Sequence, residues 1–389
     1  MKTAHIITRL IVGGAQENTL HTCEDQHAEH GDDVTLITGP DAGPEGSLME
    51  RARAGGYRVE VVDDLRRSLS PLADRRAVSR LKAMLKELNP DVVHTHSSKA
   101  GVLGRAAAHR WGLPCVHSIH GASFHYGQPW PLHRAYVGAE RWAAKRCDHF
   151  ISVCDAMTDA YVEAGVAARD NFTTVYSGFD VGPFLDPPRP RAEVRRELGF
   201  EDSHVVVATV ARLFNLKGHE TLLQVAPRIA KENPDVRFLW VGDGSLRGEY
   251  ERGIEAAGLA DRFRLTGLVP PTQVPELLHA ADIVAHPSQW EGLARVLPQG
   301  LVAGKPAVTY DVGGAAEVVL DGETGFVVPL NDAATMADRV LELAGEANRR
   351  AAMGAAGREL CRELFDHHHM TRRIREVYAR VRAAHFGGR

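Results

Sequence analysis

The stretch ADIVAHPSQWEGLARVLPQGLVAGKPAVTYDV, Ala281 to Val312, reads as strand, turn, helix, strand. Its two ends are short apolar runs of the kind that buried strands show, and Leu293 to Ala303 between them has helical length. Two strands joined through a helix run parallel, and a parallel sheet needs helices over both faces. Glu291 stands at the mouth of the strand-to-helix turn and Gly292 follows it. Unpaired backbone N–H groups and the positive end of a helix dipole face outward at such a junction, so it can hold a phosphate or an array of sugar hydroxyls. Helix capping is the better account of Glu291 taken alone. Pro298 is compatible with a helix that begins near Ala294, because a proline in the first turn forfeits no intrahelical bond.

Working outward, the same alternation fills the chain. In the first half AHIITRL, DVTLIT, YRVEVV, DVVHTHS, CVHSIH, HFISVC and FTTVYSG read as strands, with helical periods at Gln16 to His30, Arg75 to Leu88 and Tyr136 to Arg146. The segment GFDVGPFLDPPRPRAEV carries four prolines and no periodicity, which marks a linker. Beyond it HVVVATVARL, VRFLWVG, FRLTGLV and GFVVPL join the two strands already quoted, with helices at Glu220 to Glu232, Glu249 to Ala257 and Pro275 to Ala280. The expected class is α/β, two Rossmann-like doubly wound domains facing each other across a cleft. The expected boundaries are 1–182 for the first domain, 183–200 for the linker, 201–366 for the second domain, and 367–389 for a C-terminal helix packing back on the first.

A chain of 389 residues suits two domains. The composition, 44% hydrophobic and 25% charged, is that of a folded globular protein, and a net charge of −4 gives nucleic-acid binding no electrostatic support. Cys23, Cys115, Cys147, Cys154 and Cys361 are scattered, with no CxxC pair, as in a protein of a reducing compartment. The start MKTAHIITRLIVGGA reads as a first strand rather than a signal peptide, and no window reaches the roughly 20 apolar residues of a membrane span. The expected location is the cytoplasm, with peripheral membrane contact as an option. Arg105, Arg110, Arg141, Lys145 and Arg146 can serve that contact or be plain surface.

Arg212 and Lys217 lie five residues apart at a strand exit, where two cations can hold a diphosphate and neutralise its growing charge. A solvated surface pair explains them equally well on local sequence. Gly13 and Gly14 follow the first strand and permit close approach of an anion, but they lack the GxGxxG spacing of dinucleotide binders. His94 and His96 share one face of a strand, yet no acidic DxD pair accompanies them, so no metal site is expected and both are read as structural. Nearby stand His117 and His120; His120, before Gly121, can hydrogen-bond a sugar hydroxyl or orient a reacting group. Ser98 and Lys99 open a helix, where Lys99 can meet an anionic acceptor or remain an ordinary exposed lysine. Gly242 and Gly244 form a tight turn that can let a nucleobase lie against backbone. His367 to His369 read as solvated surface.

Taken in order, GGA, HTHSSKAG, the HG pair at His120, VYSGFD, VARLFNLKGH, VGDG, TGLV, WEGL, AGKP, DVGGAAEVV and DGETGFVVP resemble the GT-B glycosyltransferases of retaining family 4 over nearly the whole chain. The resemblance implies that Arg212 and Lys217 contact the donor diphosphate and that Glu291 binds hexose hydroxyls. It assigns the backbone of Gly292, Leu293, Ala294 and Arg295 to sugar and phosphate, His120 to the hexose, Gly14 to the phosphate side, and Gly244 and Leu268 to the base. The family usually repeats a glutamate eight residues after the first, on the ribose; here that position is Gln299. An amide still hydrogen-bonds a diol, more weakly by ~1 kcal/mol.

The activity implied is transfer of a hexose or N-acetylhexosamine from a nucleoside diphosphate sugar to a hydroxyl of a glycan, lipid-linked sugar or small molecule, with retention, in polysaccharide or glycoconjugate biosynthesis. No cofactor and no divalent metal are expected. Two rivals remain: a GT-B-fold nucleotide-sugar 2-epimerase, and a non-catalytic nucleotide-sugar-binding protein, the second motivated by Gln299.

Overall fold

The computed structural model describes residues 1–41, 46–125 and 127–387. The chain divides into two units, Met1–Phe179 with Asp366–Arg389, and Asp180–Phe365. The first unit carries strands β1 (Lys2–Ile7), β2 (Asp33–Thr38), β3 (Arg58–Val61), β4 (Val92–His96), β5 (Cys115–Ile119), β6 (His149–Ser152) and β7 (Phe172–Thr174). They form one sheet in the order β3-β2-β1-β4-β5-β6-β7. The second unit carries β8 (Val205–Val210), β9 (Val236–Val241), β10 (Phe263–Gly267), β11 (Ile283–His286), β12 (Ala307–Tyr310) and β13 (Gly325–Val328), in the order β10-β9-β8-β11-β12-β13. Every pairing between these strands is parallel. Every strand overlaps a run expected from the sequence, with β1 beginning two residues earlier than expected, and the expected pair of doubly wound domains is what forms.

Both sheets reverse their winding beside their first strand, between β1 and β4 and between β8 and β11. Loops leave a doubly wound sheet in opposite directions at such a point and open a crevice at the carboxyl edge. The second unit's core runs along β8 and β9 through Val207, Phe238 and Trp240 to Val308 and Tyr310, all at most 1% exposed. Helix Val296–Val302 lies so close to β11 that a Cβ on Gly300 would come within 2.6 Å of Val284.

Three expectations change. The proline-rich segment 183–200 is no free linker: it belongs to the second unit and holds helices Gly182–Leu185 and Arg191–Glu197, which pack against helix Val274–Ala280. Arg191 and Arg195 fasten it by ion pairs to Asp282 at 2.7 and 3.1 Å, and Asp282 also accepts from the Val206 N–H at the start of β8. Of the histidines after Asp366, the first is not solvated surface. They begin helix His367–Gly387, part of the first unit and packed on helix Gly14–Ala28, and His367 Nδ1 lies 2.9 Å from the buried Asp25 carboxylate. Arg105 is fully buried and paired with Glu140 at 2.7 Å, so it cannot touch a membrane. Arg141 binds the Ala164 carbonyl, while Arg110 and Arg146 lie over Trp111 and Trp142. Among the described residues no helix is long and apolar enough to cross a membrane.

Candidate functional site

In the second unit the loops leaving the carboxyl ends of β8 to β12 are stitched to one another by glycines. After β8, Leu216 and Gly218 both take positive φ, 69° and 77°. Gly218 sits where a Cβ would fall 1.8 Å from the Pro287 carbonyl oxygen, so no other residue lets this loop reach the one after β11. The Gln289 N–H donates to the Leu216 carbonyl at 2.8 Å, and Ser288 Oγ lies 3.0 Å from the same oxygen. The consequence is local and chemical: Lys217 Nζ meets Glu291 Oε1 at 2.5 Å.

Glu291 is the centre of this cluster. Besides Lys217, its Oε1 has Ser288 Oγ at 2.9 Å and His286 Nε2 at 3.4 Å. Burial alone would raise the carboxyl, but His286 and Lys217 outweigh it and hold the group down to about 2. Glu291 is therefore an ionised hydrogen-bond acceptor whose position is fixed by three neighbours. It is not a helix cap, since the helix begins at Val296, three residues later than expected, with Arg295 at its N-cap position. Pro298 does fall in that helix's first turn. Residues Glu291 to Arg295 form a loop, held from below where the Gly314 N–H donates to the Gly292 carbonyl at 2.7 Å.

Arg212 is exposed at the exit of β8, its guanidinium 5.2 Å from the Phe214 ring. The turn after β9 closes on this loop: a Cβ on Gly244 would come 2.3 Å from the Leu213 carbonyl, and the Leu213 N–H donates to the Asp243 carbonyl at 3.0 Å. Leu268 stands exposed just after β10, whose Gly267 carbonyl accepts from the Gly242 N–H. Arg212, Lys217, Gly244, Leu268 and Glu291 to Arg295 thus line one sheet edge at the β8/β11 switch, and Gln299 sits partly exposed in helix Val296–Val302. His286 and Ser288, both within the quoted stretch, were missed as site residues. Nothing local to HPS shows that they face Glu291.

The remaining candidates belong to the first unit. Gly14 is the exposed first residue of helix Gly14–Ala28, beyond the end of β1. Ser98 opens helix Ser98–His109 behind Ser97, whose φ of 60° and 2.7 Å hydrogen bond to Thr8 shape the turn. Ser98 and Lys99 line a cavity of about 490 Å³ with Arg9, Gln16 and Arg67. Lys99 is not the free cation expected for an anionic acceptor, since its ammonium pairs with Asp74 at 2.6 Å and donates to the Ser68 carbonyl. His120 follows β5 and is hydrogen-bonded through Nε2 to His96 Nδ1 at 3.2 Å. His96 continues to His5, and His94 bonds Tyr378 and Ser118.

Two clusters among the described residues bring metal-ligating atoms close together, His5 with His94 and His96, and Asp25 with His367 and His368. In the first, all six ring nitrogens already have hydrogen-bond partners. In the second, Asp25 accepts from Thr371 and lies 2.9 and 3.4 Å from the Nδ1 atoms of the two histidines.

Comparison with known proteins matches residues 13–178 to the glycosyl transferase 4-like domain and residues 190–360 to the glycosyl transferases group 1 family. The chain is 28% identical over 337 residues to the UDP-Gal:alpha-D-GlcNAc-diphosphoundecaprenol alpha-1,3-galactosyltransferase of Escherichia coli, covering 85% of each. It is 30% identical to the alpha-maltose-1-phosphate synthase of Mycolicibacterium smegmatis, covering 79% of this chain and 84% of that one. Among solved structures, Anabaena HepE in complex with UDP-glucose superposes with a TM-score of 0.83 at 23% identity, over 98% of this chain and all of that one.

Proposed function

The chain belongs to the group 1 glycosyltransferases of the GT-B fold, and from that premise we propose that it moves a hexose or N-acetylhexosamine from a nucleoside diphosphate sugar, UDP-linked by preference, to an acceptor hydroxyl with retention at the anomeric carbon. The observation that carries this reading is the Lys217–Glu291 pair at the carboxyl edge of β8 and β11, with Arg212 in the same loop after β8. The pair sets a cation for a diphosphate next to an ionised acceptor for sugar hydroxyls, and the loop supplies a second cation. The choice of uridine rests on the relatives: the E. coli enzyme is named for UDP-Gal and the Anabaena protein was solved with UDP-glucose.

Glu291 is a poor nucleophile for a double displacement, because Lys217 and Ser288 already draw on its charge. In the reaction proposed, the bond from the anomeric carbon to the diphosphate breaks first through an oxocarbenium-like state. The acceptor oxygen bonds on the same face, and its proton passes to the departing diphosphate oxygen. Arg212 and Lys217 stabilise the charge that grows on that oxygen, the role a divalent metal would otherwise fill, so none is required. Gly244 and Leu268 flank the base, Gly292 to Arg295 and Gly14 serve the sugar and phosphates, and Gln299 takes the ribose. His120 serves the hexose, and Ser98 the acceptor. The acceptor is a saccharide or lipid-linked sugar of polysaccharide or glycoconjugate assembly, used in the cytoplasm or at its membrane face. This is the acceptor chemistry in the E. coli relative's name.

The test is release of nucleoside diphosphate from UDP-, GDP- and ADP-hexoses with and without an acceptor panel. Acceptor-dependent release supports transfer. Donor consumption without acceptor would instead indicate the 2-epimerase, and binding without turnover the non-catalytic protein.

A further inference from the structure

We propose that a buried hydrogen-bond chain from Gln26 through His5 and His96 fixes His120 as the tautomer with its proton on Nε2 and its acceptor lone pair on Nδ1. The chain is continuous within the first unit: Gln26 Oε1 to His5 Nε2 at 3.0 Å, His5 Nδ1 to His96 Nε2 at 3.1 Å, and His96 Nδ1 to His120 Nε2 at 3.2 Å. His5 and His96 are fully buried.

The proton positions follow from one group that can only accept. Gln26 Oε1 is a carbonyl oxygen, so His5 Nε2 must be the donor. Burial depresses His5 to about 4 and His96 well below the ordinary histidine value, so each ring carries a single proton at neutral pH. With Nε2 protonated, His5 Nδ1 accepts, His96 Nε2 donates, His96 Nδ1 accepts and His120 Nε2 donates. With that proton on Nε2, His120 carries its acceptor lone pair on Nδ1. The other end of the same amide agrees: Gln26 Nε2 lies 3.4 Å from the Tyr378 hydroxyl, which is free to give its proton to His94 Nδ1 at 2.5 Å. Turning this amide over would reverse every proton in the chain and make Nδ1 a donor. One glutamine thus sets the polarity of a histidine beyond its reach.

A cation among His5, His94 and His96 is the competing use of these groups. It would have to displace hydrogen bonds at all of its ligand nitrogens and would bring a buried charge with no carboxylate among those ligands. The relay satisfies every one of them instead.

The consequence for selectivity rests on the proposed glycosyl transfer. A ring that accepts at Nδ1 favours a donor sugar whose hydroxyl gives it a proton and disfavours a carboxylate at that position, so hexoses should be preferred over hexuronates. Gln26, His5 and His96 are positioning residues in this account.

The experiment reads the tautomer itself, on the full chain without substrate, by long-range proton–nitrogen correlation of histidine labelled with nitrogen-15. His120 is assigned by the signals lost in His120→Asn. The expected result is His120 with Nε2 protonated and Nδ1 bare, changing to a mixture in Gln26→Leu together with a roughly tenfold lower kcat at nearly unchanged KM, the scale of one hydrogen bond lost in the transition state. A proton on Nδ1 in the native chain would overturn the proposal, even if Gln26→Leu failed to fold. So would an unaltered tautomer in a folded Gln26→Leu, or one tightly bound metal ion per chain lost in His5→Ala. If the tautomer is as expected but no sugar is transferred, the relay stands and the glycosyltransferase reading of the site falls.

Discussion

Lys217 Nζ donates to Glu291 Oε1 at 2.5 Å across 74 residues of sequence. The contact exists because Gly218, at a φ of 77°, lets the loop after β8 press against Pro287. A cation assigned to the diphosphate and an anion assigned to the sugar are therefore one coupled unit. Lys217→Ala should lower kcat by about 100-fold, on the scale of losing one preorganised charge. Glu291→Ala should do as much, and the double variant should lose far less than the product of the two. Strict additivity in steady-state kinetics would separate the pair.

Gly218→Ala should damage the site without touching a functional side chain. The new Cβ falls 1.8 Å from a backbone oxygen that has no rotamer to yield, at a φ that L-residues avoid. The left-handed backbone alone costs about 1–2 kcal/mol. A lower urea midpoint and a donor KM raised several-fold are the expected readouts, and native values for both would contradict the loop argument.

Acid should act on Glu291 late. Its folded value near 2 lies below the ordinary 4.5, so the stability it contributes is fully present above about pH 4.5 and is lost as the pH falls toward 2. Glu291→Gln should accordingly flatten the acid limb of the stability profile over that window and leave the profile above pH 5 parallel to that of the native chain. Urea titrations at several pH values test this. A difference in slope confined to neutral pH would show that another group dominates.

Much of this was legible in the chain. Parallel strands buried on both faces must be short apolar runs, so β8 and β11 announced themselves, and the Gly-flanked turns after them marked the sheet edge that carries the candidate site. What stayed hidden depends on partners far away in sequence. The Arg191 and Arg195 pairs to Asp282 span about 90 residues and turn an apparent linker into part of a domain. His367 reads as surface until Asp25, 342 residues away, is seen beside it. Lys99 looked available because its neighbour Asp74 lies on another helix. His286 and Ser288 were invisible as site residues for the converse reason: their partner is near in sequence, but only the fold of the loop turns them toward it.

Gln299→Glu should tighten nucleotide binding. A carboxylate accepts two hydroxyl hydrogen bonds with charge assistance where the amide offers one acceptor, worth ~1 kcal/mol or roughly a fivefold lower Kd. Calorimetry with UDP reads it directly. Weaker binding by the glutamate variant would mean that position 299 does not meet the ribose.

Activity should survive chelation, because Arg212 and Lys217 supply the positive charge that the leaving diphosphate needs. Turnover in EDTA equal to that in magnesium is the expected outcome, and full loss restored by magnesium would assign that role to a metal.

The most direct test is a crystal structure of the chain soaked with a UDP-hexose. The account predicts the diphosphate within hydrogen-bond distance of Arg212 and Lys217, with hexose hydroxyls on the Glu291 carboxylate. A donor bound away from the β8 and β11 loops, with Arg212 and Lys217 touching none of its phosphates, would contradict it.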